Sequence, residues 1–90
     1  MFLHIGEGKL LRKKDIIAVL DLETTSIGKK TKEFLRKSEK NGETEYISYE
    51  IPRTYVICEK KGKKKVYMTQ LSSQTLYKRA ERIEDFGKEN

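Results

Sequence analysis

The chain has 90 residues, of which 20 are basic and 14 are acidic, and its formal net charge is +6. A chain of this length forms one small domain that buries only about 60–65% of its unfolded surface, so its core needs support from a metal or from self-association. His4 and Cys58 are the only histidine and cysteine, which disfavours a metal site and excludes an internal disulfide, and no apolar run approaches the roughly 20 residues that span a bilayer.

Two β elements are predicted before residue 21. Residues 2–11 contain two short apolar stretches around GEG at 6–8, a pattern typical of a β-hairpin because glycine adopts positive φ without steric cost. The run IIAVL at 16–20 is continuously apolar and rich in β-branched residues, which is typical of a buried strand. We expect a helix to cover one face of this strand, and sheet or a partner subunit to cover the other.

A basic amphipathic helix is predicted over residues 29–40. Its narrow apolar stripe begins at Ile27 and recurs at helical spacing. The sequence TTS at 24–26 offers competent N-caps, and NG at 41–42 is a good C-terminal stop.

The second half of the chain predicts three further strands. ETEYISYEI at 43–51 alternates in polarity and predicts a half-buried strand that Pro52 interrupts. TYVIC at 54–58 and KVYMTQ at 65–70 predict two strands, and KKGKKK at 60–65 joins them as a hairpin connection.

A second helix is predicted over residues 74–84, with SS at 72–73 as its cap. Together these elements predict an α+β fold with a small, mostly antiparallel sheet and two helices. We expect a single domain over residues 1–84 and a flexible tail at 85–90.

Basic residues are segregated along the chain. They cluster at 9–14, 29–40 and 60–65, whereas acidic residues concentrate at 43–50 and near the C-terminus. Such segregation predicts one basic face, which favours a nucleic-acid partner over a general role in solubility. The five tyrosines are compatible with stacking on single-stranded bases, but packing within the sheet is their simpler interpretation.

The sequence does not favour an enzyme. His4 lies between apolar residues of a predicted strand, where a structural or interface role is the simpler interpretation. Cys58 ends an apolar strand without a nearby activating group, which is typical of an inert buried thiol. GEG lacks the rest of a phosphate-binding loop and is interpreted as a turn. We therefore expect no cofactor and no small-molecule substrate.

Basic residues in two places are candidates for phosphate contacts. Lys29, Lys30 and Lys32 lie near the N-terminus of the predicted helix, where positive charge opposes the helix dipole; a docked phosphate would explain them, as would a solvated lysine face. Arg53 follows Pro52 and precedes a strand, so its backbone should be well anchored and its planar guanidinium suits phosphate or guanine. A surface arginine paired with a neighbouring glutamate is the alternative.

The order and spacing of three motifs carry a family resemblance over about residues 1–83. The opening FLHIGEGKLLRKKDIIAVLDLE, the segment PRTYVI and the ending LSSQTLYKR resemble the bacterial extracellular matrix regulator family (RemA/RemB-like), and within it the RemB-like branch. The resemblance implies a domain similar to LytTR-type DNA-binding domains, which assembles into a homo-oligomeric ring and binds double-stranded DNA on a basic surface to regulate transcription of biofilm matrix genes.

The family's binding residues carry over only in part. The family has an arginine where this chain has Asp15, with Arg12, Lys13 and Lys14 beside it, and it has an arginine-rich loop of which only Arg53 keeps the charge. The resemblance therefore points to these basic residues as DNA contacts, whereas the lysines of the predicted helix are candidates from their position alone. The family's turn corresponding to 60–65 is not lysine-rich, so we rank this run below them, as a turn that is entropically costly to immobilise.

Two functional hypotheses follow from the sequence. The first is a non-enzymatic, DNA-binding transcriptional regulator that acts as a ring. The second is a ring-forming scaffold that binds an acidic protein partner, which Asp15 favours. The start of the sequence has no basic region before an apolar stretch and the lone cysteine fits a reducing compartment, so we expect a cytoplasmic protein with no signal peptide and no membrane association.

Overall fold

The computed structural model describes residues 2–22 and 27–80. Six strands, one 3-10 turn and two helices occur in these residues. In chain order they are β1 (Phe2–His4), β2 (Leu10–Arg12), the 3-10 turn (Lys13–Asp15), β3 (Ile16–Asp21), α1 (Lys29–Lys40), β4 (Thr44–Tyr46), β5 (Thr54–Lys60), β6 (Lys63–Thr69) and α2 (residues 73–80). The α+β class predicted from the sequence is confirmed.

The predicted N-terminal hairpin is confirmed, and it forms a two-stranded sheet of its own. β1 and β2 pair antiparallel, with Leu3 opposite Leu11. The connecting turn has positive φ at Gly6, Glu7 and Gly8, the conformation for which glycine is best suited.

A four-stranded sheet with the order β3-β5-β6-β4 forms the middle of the molecule. The β3–β5 and β5–β6 pairs are antiparallel, whereas β4 lies parallel to β6. The strand predicted over 43–51 was too long, since β4 ends at Tyr46. After Ile47, whose amide still donates to the Met68 carbonyl, the chain leaves the sheet and turns, with the Glu50 amide donating to Ser48 Oγ.

Each face of this sheet packs on its own hydrophobic cluster. On one face the N-terminal hairpin and α2 cover Val56, Cys58 and Tyr67. On the other face α1 covers Ile57 and Val66, among other residues. The molecule therefore has three layers, and the β5–β6 hairpin lies in the middle one with both of its faces in contact.

The apolar strand at 16–20 is packed on both faces, as predicted, but it lies at an edge of the sheet. Ile16 and Val19 pack towards the N-terminal hairpin, and Ala18 and Leu20 pack towards α1. A register shift between Ile16 and Ala18 marks a bulge, and Ile17 is 52% exposed there. Expecting full burial was wrong because an edge strand has a neighbour on one side only.

The helix predicted over 29–40 has the bounds that the structure shows. Its N-cap is Gly28, without a side-chain cap, so the expectation of a Ser or Thr cap was wrong; residues 24–26 themselves lie outside the described part of the chain. Asn41 and Gly42 end the helix, with φ +73° at the glycine. For α2 the predicted cap is confirmed, since Ser72 Oγ accepts from the Thr75 amide at 3.2 Å. Residues 81–84 of this predicted helix and the tail at 85–90 lie outside the described residues.

Two buried threonines join the layers. Thr69 Oγ1 donates to the Ile5 carbonyl at 2.6 Å and accepts from the Leu71 amide at 3.2 Å. Thr54 Oγ1 donates to the Leu71 carbonyl at 2.7 Å. Both side chains are fully buried, so these bonds hold the N-terminal hairpin and the entry to α2 against the sheet.

Candidate nucleic-acid interface

The lysine-rich segment 60–65 lies mostly in strands. The ladder between β5 and β6 continues to the pair Lys60–Lys63, so the turn consists of Lys61 and Gly62 alone. Their φ values of +52° and +79° are those of a type I′ hairpin turn, whose twist matches that of the flanking strands. The prediction of a hairpin connection is confirmed, but its interpretation as a turn that is entropically costly to immobilise is corrected, because four of its five lysines are held in the ladder.

Residues 59–64, which we call the lysine ribbon, extend beyond the packed layers. All six are exposed, whereas Ile57, Cys58 and Val66, behind them, are buried. Successive strand residues face opposite sides, and the described residues provide no ion-pair partner for Lys60, Lys61 or Lys63. The ribbon therefore offers uncompensated positive charge on a fixed backbone.

One side of the ribbon borders a groove of about 540 Å³, which we call the basic groove. Leu11, Cys58 and Tyr67 supply its apolar lining. Six basic and two acidic side chains also line it: Arg12, Lys60, Lys61, Lys63, Lys64, Lys65, Asp15 and Glu43. The groove carries an excess of positive charge and has partly apolar walls, so it should attract an anionic partner.

On the opposite side, the ribbon meets the N-terminal half of α1. Lys30, Phe34 and Lys64 line a shallow depression of about 290 Å³ there, together with Ile17. Lys64 Nζ lies 5.6 Å from the centre of the Phe34 ring, a cation–π contact that holds its stem against α1. Basic side chains thus flank the ribbon on both sides.

A charged cluster fixes the base of the basic groove. Glu45 accepts a hydrogen bond from Lys65 Nζ at 2.9 Å and pairs with Lys9 at 3.7 Å, and both ammonium groups lie 5.2 Å from the centre of the Tyr67 ring. The hydrogen bond from Lys65 lowers the pKa of Glu45, and the same bond raises the pKa of Lys65. Because β4 carries Glu45 and the hairpin loop carries Lys9, the cluster links the hairpin to the sheet.

The structure brings together only some of the basic residues chosen from the sequence. Arg12 lines the basic groove and pairs with Asp15 at 3.6 Å, and Lys30 lies on the other side of the ribbon. Lys29 and Lys32 are exposed on the first turns of α1, near Lys30.

Lys13 and Lys14 differ from each other in their surroundings. The Lys13 side chain is half-buried, lines a small cavity at α2 and donates to the Ala80 carbonyl at 3.4 Å. Lys14 is exposed on the 3-10 turn. Of these two lysines, Lys14 is therefore the more accessible to a large partner.

Arg53 lies at the far end of the sheet from the ribbon. Its amide donates to the Thr69 carbonyl at 2.9 Å and its carbonyl accepts from the Leu22 amide at 2.8 Å, which confirms the predicted anchoring of its backbone. Strand β5 runs from Thr54 to Lys60, a length of about 20 Å. Arg53 and the basic groove therefore form two separate positive regions.

The lysine run is evident in the sequence, but its importance as a candidate DNA contact was underestimated there. What could not be read from the sequence is that β2 and α1 place Arg12 and Lys30 beside the run, because both neighbours lie more than 25 residues away along the chain. The local signal for this turn was weak, because Asn-Gly and Asp-Gly are the usual type I′ pairs and here only the second position, Gly62, has the favoured residue.

The single histidine and the single cysteine of the sequence both have structural surroundings in the fold. The Arg79 guanidinium lies 2.9 Å from His4 Nδ1 and donates to the His4 carbonyl at 3.1 Å, which joins α2 to β1. Burial raises the pKa of the Cys58 thiol to about 11. Within residues 2–22 and 27–80, no group of three or more metal-ligating side chains converges, and no helix is long and apolar enough to cross a membrane.

No protein-family model matches the chain, and no curated protein matches it significantly. The family resemblance therefore rests on the motifs given in the sequence analysis.

Proposed function

We propose that this protein is a non-enzymatic, DNA-binding transcriptional regulator of the extracellular matrix type. It acts in the cytoplasm as a homo-oligomeric ring of LytTR-like domains. It binds the phosphate backbone of double-stranded DNA through a basic surface, and it needs no cofactor.

The observation that carries this proposal is the basic groove beside the lysine ribbon. Six basic side chains line one groove, and the strand ladder fixes four of them. Fixed cations lose less conformational entropy on contact than cations on a mobile loop. Binding through such contacts is dominated by counterion release and falls steeply with added salt.

Exposed apolar side chains support the self-association part of the proposal. Tyr49 is fully exposed and Ile51 is 86% exposed in the segment between β4 and β5. The outer edge of β3, with Ile17 half exposed at its bulge, has no neighbouring strand among the described residues. A neighbouring subunit that covered these positions would add the core that a small domain needs.

The test is a titration of affinity for a duplex DNA against salt concentration, with native mass measurement in parallel. Each neutralised phosphate should contribute about −0.9 to the slope of log K against log salt. A flat slope, or no binding near about 50 mM salt with the oligomer intact, would refute the proposal.

The alternative is a scaffold that binds an acidic protein partner. Asp15 and Glu43 line the basic groove, and Asp15 neutralises part of the Arg12 charge, which weakens attraction for a uniform polyanion. Protein purified without nuclease separates the two functions. Co-purifying nucleic acid, seen as a raised ratio of absorbance at 260 nm to that at 280 nm, favours the regulator.

A further inference from the structure

We propose that the lysine ribbon enters the major groove of B-form DNA, while Arg12 and Lys30 contact the backbone on its two sides. This inference rests on the proposed DNA-binding function and names the element and the groove that it uses. It places the centre of the interface at residues 59–64, away from Arg53.

The shape of the ribbon fits the major groove. Two paired strands are about 4.8 Å apart, and the exposed ribbon from Glu59 to its turn is about 7–10 Å long. The major groove of B-form DNA is about 12 Å wide and 8.5 Å deep, and it admits a two-stranded ribbon. Because the turn has only two residues, Lys61 and Gly62, the tip is narrow enough to reach the floor of the groove.

The positive charge of the ribbon suits contact with both phosphate backbones of a duplex. Lys60 and Lys63 are directly opposed, and Glu59 is opposite Lys64, so the net charge of this short element is positive at its tip. Like charges directly opposed across two strands are destabilising. A polyanion on either side of the ribbon would remove that repulsion on binding.

The flanking cations lie on opposite faces of the sheet. Arg12 shares the basic groove with Lys60 and Lys63, and Lys30 shares the second depression with Lys64, which also reaches the basic groove. A ribbon inserted between two phosphate backbones would therefore meet one of them on each face. Arg53, about 20 Å away at the other end of β5, would lie outside this contact.

The decisive experiment compares three duplexes of one sequence with the wild-type protein. They are unmodified DNA, DNA whose major groove is filled by glucosylated 5-hydroxymethylcytosine, and RNA, whose A-form major groove is too narrow for side chains to read. We expect affinity for the glucosylated DNA and for the RNA to be at least about tenfold lower than for unmodified DNA. In the first duplex glucose blocks the major groove, and in the second the major groove is too narrow for the ribbon to enter.

A pair of double variants with equal charge loss tests the ribbon itself. Lys61→Gln with Lys63→Gln should lower the magnitude of the salt slope by about 2 and should abolish the discrimination among the three duplexes. Lys37→Gln with Lys78→Gln is the control, since these exposed lysines of α1 and α2 line neither the basic groove nor the second depression. The control should keep the discrimination.

The outcomes separate the inference from the function on which it rests. Salt-dependent binding that is equal on all three duplexes would overturn ribbon insertion and leave the DNA-binding function standing. Failure to bind any duplex would overturn both. Discrimination that survives in the ribbon variant, with unchanged circular dichroism, would place the groove contact elsewhere and so overturn the inference.

Discussion

Replacing Thr69 by valine should destabilise the fold strongly, although the two side chains have nearly the same shape. The Thr69 hydroxyl donates to the Ile5 carbonyl and accepts from the Leu71 amide, and the side chain is fully buried. Valine would leave both backbone groups unpaired, at about 1–3 kcal/mol each. We expect a loss of about 2–6 kcal/mol from a total free energy of unfolding of about 5–13 kcal/mol for a chain of this length.

Urea and thermal unfolding measure this loss directly. With an unfolding entropy of about 0.19 kcal/mol/K for 90 residues, a loss of about 3 kcal/mol lowers Tm by about 16 °C. Thr69→Ser keeps both hydrogen bonds and should cost only about 1 kcal/mol for the lost methyl group.

Thr44→Val is a matched control with the opposite expected sign. The Thr44 hydroxyl is buried, and it has no hydrogen-bond partner among the described residues. Removing an unsatisfied buried hydroxyl should be neutral or stabilising, by up to about 1 kcal/mol. If Thr69→Val and Thr44→Val changed the free energy of unfolding equally, hydrogen bonding would not be the reason for either effect, and the reasoning would be refuted.

Three further predictions concern single side chains. Arg53→Ala should leave duplex affinity and its salt dependence nearly unchanged, because Arg53 lies about 20 Å from the lysine ribbon, at the other end of β5; a marked loss of affinity with the oligomer intact in native mass spectra would move the DNA contact to Arg53. Cys58, with its pKa raised from 9.0 to about 11, should be alkylated at pH 8 about a hundredfold more slowly than an ordinary thiol, and a rate in native protein equal to that in denaturant would contradict its burial. Glu45→Gln should cost less than about 1 kcal/mol, since the side chain is 38% exposed. The lowered pKa of Glu45 means that its contribution is present above its unfolded-state pKa and is lost as pH falls through its folded-state pKa, so the difference from wild type should close on acidification and not widen.

Local signals in the sequence predicted most of the secondary structure. The bounds of α1 followed from its helical spacing and from the NG stop, and the β5–β6 hairpin followed from a glycine between two β-branched runs. The predictions of strand position and strand length failed where tertiary contacts determine them. The apolar run at 16–20 gave no sign of lying at a sheet edge, and nothing in ETEYISYEI indicated that its strand would end after three residues or pair parallel to β6.

The candidate site depends more strongly than the secondary structure on contacts between residues that are distant in the sequence. Residue type and backbone anchoring favoured Arg53, and its anchoring is confirmed. The grouping of Arg12 and Lys30 around the lysine run depends on how β2 and α1 pack on the sheet. Along the sequence these residues fall in separate clusters, so the basic surface that they form together in the fold cannot be recognised from the sequence alone.

The central position of the β5–β6 hairpin has a consequence for folding kinetics. Its two strands are adjacent in the chain, and between them they pair with both remaining strands of the main sheet, β3 and β4. We therefore expect this local pairing to form early. Its tip, however, brings Lys60 directly opposite Lys63 with Lys61 between them, and repulsion among these charges should slow that first step until salt screens it. Refolding should therefore accelerate with added salt in stopped-flow experiments, and a rate independent of salt would show that the hairpin closes after the rate-limiting step.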